Sequence, residues 1–232
     1  MVAIDSAKQA MRSSVRKILR GLPADELAKA SVAACKRASE LEAVVRGVGV
    51  SVYLAMPAAE CQTEALLRSL FEQSNKSIFV PRVDGMDRNE MRMLRVVCLQ
   101  QLESFPRSKW GIPEPTEEEA IGLENGLEAA QIDTVIVPAV AFDRRCHRLG
   151  QGRGYYDTFL EKLTHARAAR GMTPPITIGL GLQQQLVPEA RRTPHTSLPP
   201  ARPSVRPRLC VRLCLTGAHF GARFPPRLYL LA

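Results

Sequence analysis

A glycine-rich segment at residues 148–157, RLGQGRGYYD, carries the residue types that bind phosphate. Its glycines alternate with larger residues, and because glycine has no Cβ, such a loop lets successive backbone N–H groups point at one anion. Arg148 and Arg153 add guanidinium groups, which can donate paired hydrogen bonds to phosphate oxygens. The spacing differs from both the GxxxxGKS/T loop and the early GxGxxG fingerprint. A phosphate-binding loop and a tight turn before a helix therefore both remain open.

The residues after this loop predict an amphipathic helix from Tyr155 to about Arg170. The unpaired N–H groups at the start of a helix attract anions, so this helix would face the same ligand as the glycines. Asp157 lies in the first turn of the predicted helix. Its carboxylate can offset the helix dipole, or it can hold Mg²⁺ that is already bound to phosphate.

Basic residues recur at every fourth position of the predicted first helix, which extends from Ser6 to about Gly21. They are Lys8, Arg12, Arg16 and Arg20. Like charges that share a helix face repel one another, which favours an anionic partner opposite them. The same pattern is also typical of a solvated basic face and of an organellar presequence, so all three interpretations stay open.

Helical and strand patterns alternate along most of the chain, which predicts an α/β fold. We expect a single Rossmann-like, three-layer domain over residues 1–187, with a mostly parallel sheet flanked by helices. The strongest strand pattern, at residues 132–143, ends at Asp143, and parallel strands commonly place ligand-binding groups at their carboxyl ends. The other predicted elements are helices at 24–46 and 63–73, strands at 48–56, 77–81, 90–97 and 176–182, and an acidic surface turn at 114–119.

The overall composition is that of a globular domain in a reducing compartment. The chain has 232 residues, of which 45% are hydrophobic. Because no apolar run approaches the ~20 residues that cross a bilayer, no membrane span is expected. Six cysteines without a CxxC pair predict reduced thiols, and Cys210, Cys214 and His219 make only a weak pattern for a metal site. A cytoplasmic location is expected, with import into an organelle left open.

Residues 188–232 differ sharply in composition from the rest of the chain. They contain eight arginines, eight prolines and one acidic residue, so they carry +7 of the net charge of +9. Apart from LCVRLCL at 209–215, they show no periodicity that would build a core, which predicts a disordered tail. A translated intron or an altered reading frame would produce this composition. An evolved basic arm for RNA or acidic partners is the alternative.

Four segments together resemble the 5-formyltetrahydrofolate cyclo-ligase family, also called methenyltetrahydrofolate synthetase. They are SAKQAMR at 6–12, YLAM at 53–56, WGIPEP at 110–115 and VPAVAFDRRCHRLGQGRGYYDTFLEK at 137–162, in the family's order. The resemblance extends from about Ala7 to Val187. It implies an enzyme that uses ATP and Mg²⁺ to cyclise 5-formyltetrahydrofolate, with or without additional glutamates, to 5,10-methenyltetrahydrofolate, releasing ADP and phosphate.

The resemblance also implies site residues by position. ATP would be bound by Lys8, Gln9, Ala10, Met11 and Arg12, and by Arg148, Leu149, Gly150, Gln151, Gly152, Arg153, Gly154, Tyr155 and Tyr156. The substrate would contact Arg12, Met56, Gln62, Trp110 and Tyr155. Catalysis would involve Arg148, Arg153 and Tyr155, and Mg²⁺ would be bound by Asp157. Met56 and Trp110 also fit plain core packing.

The chain departs from the family pattern at several positions of this site. Gln151 stands where many members have a basic or aromatic residue, and Gln62 stands where some have a folate-facing carboxylate. Cys146 replaces a glycine, so a positive φ at this position would strain the turn. No aspartate follows Asp157, although the family has a second metal-binding aspartate in this region.

Two other classes of function remain open for the chain. One is a non-catalytic protein that binds folate or nucleotide, and the other is an RNA-associated protein with a basic tail. The cyclo-ligase interpretation instead predicts a monomer that acts on a small molecule, without membrane or nucleic-acid partners.

Overall fold

Helices and strands alternate along the chain in a computed structural model, which describes residues 2–58, 60–188, 190, 211–214 and 230–231. The helices are α1 (Val2–Arg20), α2 (Ala24–Ser39), α3 (Glu42–Arg46), α4 (Glu64–Phe71), α5 (Leu99–Ser104), α6 (Glu117–Ile121) and α7 (Tyr155–Ala168). The strands are β1 (Gly49–Val52), β2 (Ser77–Val83), β3 (Met91–Val96), β4 (Thr134–Val137), β5 (Ala141–Asp143), β6 (Arg148–Leu149), β7 (Ile176–Leu180), β8 (Leu186–Val187), β9 (Val211–Cys214) and β10 (Leu230–Leu231). A single 3₁₀ turn, Gln183–Gln185, precedes β8.

The main sheet has the strand order β10-β9-β7-β4-β1-β2-β3. Strand β1 lies parallel to β2 and β4, and β4 lies parallel to β7. The pair β2–β3 is antiparallel, as expected for strands joined by a short connection. The prediction of a mostly parallel sheet is therefore confirmed.

Both faces of this sheet are covered by helices. In β2, Ile78 and Val80 pack in the core that contains residues of α1, α2 and α4. Phe79 points to the opposite face, because successive strand residues alternate, and packs with Phe159 and Leu163 of α7. This arrangement confirms the predicted three layers.

The strand predicted at 132–143 forms two strands in two different sheets. Pro138 follows β4, and because proline has no N–H to donate to a ladder, pairing stops there. Strand β5 instead forms a small sheet with β6 and β8. Asp143 therefore lies at the turn of the β5–β6 hairpin, and its predicted place at the end of a core strand is corrected.

Other predicted elements differ from the structure in their boundaries. The first helix, predicted to begin at Ser6, begins at Val2, and the strand predicted at 48–56 is β1, Gly49–Val52. The helix predicted at 24–46 is interrupted after Ser39 and continues as α3. The acidic stretch at 114–119, predicted as a turn, contains the start of α6. Thr116 and Glu119 form a capping box there, in which each side chain accepts a hydrogen bond from the other residue's backbone N–H.

The segment predicted as a disordered tail contributes two described strands. Strand β9 lies parallel to β7 and strand β10 lies parallel to β9. The rest of the predicted tail, including Cys210 and His219, lies outside the described residues except for Pro188 and Ala190. Its disorder, and the domain boundary at residue 187, stay predictions.

Candidate functional site

The glycine loop joins β6 to α7 and depends on glycine for its backbone conformation. Gly154 is the N-cap of α7 and has a φ of +79°, and Gly152 has a φ of +106°. Side chains with a Cβ rarely adopt these angles, so glycine is required at both positions. At Gly150 an added Cβ would lie 3.2 Å from the Arg148 guanidinium. The loop therefore keeps its backbone close to a cationic side chain.

The basic face of α1 packs against this loop. The Nε atom of Arg12 donates a hydrogen bond to the carbonyl of Gly150 at 3.0 Å. Arg16 donates to the side-chain oxygen of Gln151. The structure thus brings together the N-terminal helix and the glycine loop, which are far apart in the sequence.

Three buried donor atoms, one on α1 and two on the segment from β6 to α7, have no hydrogen-bond partner among the described residues. They are Nζ of Lys8, Nε of Arg148 and the hydroxyl of Tyr156. Lys8 is only 3% exposed and lies one helical turn before Arg12. Because an unpaired buried donor costs about 1–3 kcal/mol, and more if charged, such groups indicate a ligand with several acceptor oxygens. A polyphosphate fits this set of donors.

Asp157 pairs with Arg148 at the start of α7. Its side chain is 69% exposed, whereas that of Arg148 is 10% exposed. In the part of the chain that the structure describes, no three His, Cys, Asp or Glu side chains form a group that could hold a metal ion. Mg²⁺ in nucleotide sites commonly uses one or two carboxylates together with phosphate oxygens. Asp157 fits that kind of site rather than one made by protein ligands alone.

A groove of about 300 Å³ lies next to the loop. Arg16, Met56, Trp110 and Gln151 line it, as do Leu19, Arg20, Pro57, Ala58, Lys109 and Val140. Trp110 is 59% exposed, which rules out core packing as its main role. The groove therefore combines an aromatic surface and a thioether with cations along one side.

The side-chain amide of Gln62 forms hydrogen bonds with the backbone of its own segment. Its Nε2 atom donates to the carbonyls of Met56 and Glu60, both at 2.9 Å. It is not among the residues that line the groove. The structure therefore places Gln62 behind Met56.

The two tyrosines of the loop have different surroundings. The Tyr155 hydroxyl donates to the carbonyl of Gly85, at 2.8 Å, in the β2–β3 connection. The Tyr156 ring lies under the Arg148 guanidinium, 5.9 Å from it, and its hydroxyl is one of the unpaired donors. Tyr156 therefore has the group that is available to a ligand.

The other residues that were predicted to bind ATP differ in how far they are buried. Gln9 and Ala10 are exposed on α1, as is Arg153 on the loop, and Leu149 is buried in the core. Met11 is half-buried and packs against the main core. Of the predicted α1 residues, Arg12 contacts the loop, and Lys8 is buried.

Glu60 is not among the site residues predicted from the sequence, although it contacts two of them in the structure. Its carboxylate accepts from the Met56 N–H at 3.0 Å and from the Gln151 amide at 3.3 Å. It is 6% exposed, and this burial raises the pKa of its carboxyl. No spacing marks Glu60 in the sequence, whereas Arg16 was signalled by the repeat of basic residues on α1.

Asp143 organises the turn between β5 and β6. It is fully buried and accepts from the N–H groups of Arg145 and His147 at 2.9 Å and of Ala190 at 2.8 Å, and it pairs with the His147 ring. Burial alone would raise the pKa of Asp143, but these donors outweigh it and lower the pKa. Cys146 in this turn has a φ of +64°, the conformation for which strain is predicted at this position.

Comparison with protein families gives one match that covers most of the chain. A family model described as "5-formyltetrahydrofolate cyclo-ligase family" matches residues 4–195. A mouse 5-formyltetrahydrofolate cyclo-ligase is 28% identical over 188 residues, which cover 81% of this chain and 88% of the mouse protein. A probable 5-formyltetrahydrofolate cyclo-ligase of Schizosaccharomyces pombe is 30% identical over 182 residues, or 78% and 85% of the two chains.

Solved structures show the same fold. The NMR structure of Aquifex aeolicus 5,10-methenyltetrahydrofolate synthetase has a TM-score of 0.61 at 22% identity and covers 80% of this chain and 83% of its own. A Mycoplasma pneumoniae 5,10-methenyltetrahydrofolate synthetase has a TM-score of 0.58 at 18% identity, with coverages of 81% and 92%. At these identities the likeness establishes the α/β architecture only. No helix among the described residues is long and apolar enough to cross a membrane.

Proposed function

Because this chain belongs to the 5-formyltetrahydrofolate cyclo-ligase family, we propose that it cyclises 5-formyltetrahydrofolate to 5,10-methenyltetrahydrofolate with ATP and Mg²⁺. The observation that carries the proposal is the group of unpaired buried donors at the glycine loop, on Lys8, Arg148 and Tyr156. Acceptor oxygens of a triphosphate would satisfy them. Neither the non-catalytic nor the RNA-associated alternative is favoured, since the relatives are named as cyclo-ligases.

The proposed chemistry requires activation of a poor leaving group. The γ-phosphoryl group is transferred from ATP to the formyl oxygen, and N10 of the folate then attacks the formyl carbon and loses its proton to solvent. The carbon–oxygen bond breaks, phosphate leaves with that oxygen, and ADP is the other product. Phosphoryl transfer of this kind depends mainly on positioning and on neutralising negative charge.

The residues around the glycine loop can provide this neutralisation. Lys8 and Arg12 approach from α1, and Arg148 approaches from the loop itself. Arg148 and Asp157 are paired with each other, and Mg²⁺-bound ATP offers each of them a new partner of opposite charge. The metal would neutralise phosphate charge, and Asp157 would be its protein ligand.

The groove beside the loop is the proposed folate site. Met56 and Trp110 offer apolar and aromatic surface for a flat ring system. Arg12, which contacts the loop, lies one helical turn before Arg16, which lines the groove. Arg20 and Lys109 line the same groove and can pair with glutamate carboxylates of the substrate. Gln62 and Tyr155, both predicted as substrate contacts, would act from the edge of this site.

A direct assay tests the proposed activity. The purified chain, mixed with 5-formyltetrahydrofolate, Mg²⁺ and ATP, should generate the absorbance of the methenyl product and one ADP for each product molecule. Asp157→Asn should lower turnover by about 100-fold or more, because Mg²⁺ loses its proposed protein ligand. No product from the unsubstituted chain, together with tight binding of the substrate, would exclude the catalytic function.

Asp25 offers a matched control for Asp157. It also lies in the first turn of a helix, its side chain is 68% exposed, and it also pairs with a cation, Lys29. Asp25→Asn should leave turnover unchanged, because α2 supplies none of the proposed ligand contacts. Equal losses in the two variants would point to a general effect of charge or stability. We also expect a monomer in the cytoplasm, which gel filtration and cell fractionation would check.

A further inference from the structure

Two free thiols lie side by side in the core of the domain. Cys35 on α2 and Cys61 in the segment between β1 and α4 are each 1% exposed. Both approach the backbone carbonyl oxygen of Gln62, with the Cys35 Sγ at 3.2 Å and the Cys61 Sγ at 4.0 Å. The two thiols also form a hydrogen bond with each other. The fold therefore brings together two nucleophiles that the cyclo-ligase chemistry does not use.

The surroundings make Cys35 the more reactive thiol of the pair. The hydrogen bond with Cys61 lowers the pKa of Cys35, and burial opposes this shift only in part. The backbone N–H of Leu66, in the first turn of α4, also favours the Cys35 thiolate, because the start of a helix stabilises negative charge. The same contact between the thiols, together with burial, raises the pKa of Cys61. Cys35 is thus suited to attack an electrophile while Cys61 stays protonated beside it.

The segment that carries Cys61 joins α2 to one wall of the groove. The backbone N–H of Gln62 donates to Oγ of Ser31 on α2 at 2.9 Å. Pro57, earlier in the same segment, lines the groove together with Trp110. A movement of Cys61 toward α2 would therefore displace residues of the groove wall.

We propose that Cys35 and Cys61 are a modification site, at which hydrogen peroxide converts the two thiols into a disulfide between α2 and this segment. The Cys35 thiolate attacks one peroxide oxygen, the O–O bond breaks, and the departing hydroxide takes up the proton that Cys35 released, which leaves a sulfenic acid and water. The Cys61 sulfur then attacks the Cys35 sulfur, the S–O bond breaks, and a second water leaves with the Cys61 proton. The two thiols lose two electrons, which reduce the peroxide to two water molecules.

The burial of the pair determines how this reaction proceeds. Buried thiols normally react slowly, but hydrogen peroxide is small and uncharged, so a brief local opening of the segment is enough to admit it. The sulfur atoms of a disulfide are about 2.05 Å apart, which is closer than two thiols in contact. Formation of the bond must therefore pull the segment toward α2, and a thiol reductant would release it.

Peptide mass spectrometry tests whether the disulfide forms. Trypsin places the two cysteines on different peptides, residues 30–36 and 47–68. The reduced full chain is treated with hydrogen peroxide, its remaining thiols are blocked with N-ethylmaleimide, and it is digested without reductant. We expect the two peptides to be linked, and the link to disappear after treatment with dithiothreitol.

Cys98 provides an internal measure of the oxidant dose. It is a free, partly buried thiol on a third peptide, residues 96–107, and its Sγ accepts the N–H of Gln101 at 3.4 Å. If Cys98 is oxidised to sulfinic acid while Cys35 and Cys61 are recovered as blocked thiols, the proposal is overturned. A link that forms only in urea would overturn it as well, because the pairing would then not come from the fold.

Serine variants test which thiol attacks the peroxide. Serine keeps a hydrogen-bond donor at the substituted position, so Cys61→Ser should leave Cys35 as a sulfenic acid that dimedone labels. This labelling should exceed that of Cys61 in Cys35→Ser by about tenfold. Limited alkylation of the unsubstituted chain with iodoacetamide gives the same comparison without a substitution, and Cys35 should react first. Equal reaction of the two thiols would overturn the proposed order of steps.

Trp110 reports whether the disulfide reaches the groove. It is the only tryptophan of the chain, and the next residue packs on Pro57, since a Cβ added at Gly111 would lie 2.9 Å from the Pro57 Cγ. Peroxide should change the Trp110 emission in the unsubstituted chain and in the matched control Cys98→Ser, and dithiothreitol should restore it. Cys35→Ser should show no change. An unchanged emission from the disulfide form would overturn the connection to the groove.

The effect of the disulfide on turnover rests on the proposed function. Oxidation should lower the rate of methenyl formation about tenfold or more, because small displacements in a binding site are costly for catalysis, and dithiothreitol should restore the rate. Cys35→Ser should keep its rate in peroxide, and an equal loss in this variant would assign the inhibition to another residue. Absence of methenyl product from the reduced, unsubstituted chain would exclude the proposed function, whereas the linked peptides and the Trp110 emission still decide the role of the two thiols.

Discussion

Two sets of buried polar groups, one at the turn between β5 and β6 and one on α1, β6 and α7, differ in whether their members have partners. At the turn, Asp143 accepts three backbone N–H groups and pairs with the His147 ring. In the second set, Lys8, Arg148 and Tyr156 each have a buried donor atom without a hydrogen-bond partner among the described residues. Buried polar groups normally have hydrogen-bond partners within the protein. We therefore interpret the first set as structural and the second as part of a binding site.

The electrostatic consequences of the two clusters also differ. In the turn, donors outweigh burial and lower the pKa of Asp143, so the folded state favours its charged form. Beside the loop, burial and the nearby Glu60 raise the pKa of Tyr156, and Arg148 offsets this only partly. Tyr156 therefore stays protonated and can donate a hydrogen bond to a ligand oxygen.

Lys8→Met should produce the largest effect, because it removes a buried ammonium group from the loop cluster. We expect KM for ATP to rise about 100-fold, which is ~2.7 kcal/mol, while the melting temperature stays equal or rises, since the Lys8 ammonium has no protein hydrogen bond to lose and methionine keeps a similar apolar stem. Initial rates against ATP concentration and thermal unfolding measure the two quantities. A lower melting temperature with an unchanged KM would place Lys8 among the structural groups.

Asp143→Asn should have the opposite pattern, with a loss of stability of about 1–3 kcal/mol and little change in the kinetics of the folded enzyme. The pKa of Asp143 is lowered from 3.8, so its contribution is fully present above about pH 4 and is lost as the pH falls through the folded-state pKa. Urea unfolding at several pH values should show the gap between the variant and the unsubstituted chain closing in acid. A gap that stays constant with pH would show that the Asp143 charge is not involved.

Part of this contrast could be predicted from the sequence. Gly152 and Gly154 mark the loop because glycine reaches positive φ, and Lys8 and Arg12 stand out by helical spacing. These are local signals. The Glu60 carboxylate, in contrast, accepts from the Gln151 amide, which is 91 positions away in the chain, so the local sequence pattern does not indicate this hydrogen bond.

The fold shows the same division between local and distant causes. The alternation of elements predicted the three layers, since each element's apolar pattern is local. The split of residues 132–143 into β4 and β5 depended on which strands are available to pair after Pro138. Pairing of that kind is set by tertiary structure, so it could not be read from the strand pattern.

The two neighbouring tyrosines give a smaller test of the same contrast. Tyr155→Phe removes a hydrogen bond to the Gly85 carbonyl and should cost about 1 kcal/mol of stability. Tyr156→Phe removes a hydroxyl that has no protein partner, so it should cost no stability or increase it slightly. Urea unfolding of both variants compares the two. Equal losses would mean that the Tyr156 hydroxyl is satisfied in solution.

Cys146→Gly should give the smallest effect, a gain of about 0.5–1 kcal/mol in the turn that Asp143 organises. Cys146 has a φ of +64°, where a Cβ is strained, and glycine removes that strain at some cost in chain entropy. Cys146→Ala is the control, since it removes the thiol but keeps the Cβ, and it should not stabilise. If both variants stabilise the protein equally, the thiol rather than the backbone is the source of strain. If only the glycine variant stabilises the protein, the backbone at Cys146 is strained. The turn would then contain strain even though the Asp143 carboxylate has its hydrogen-bond partners.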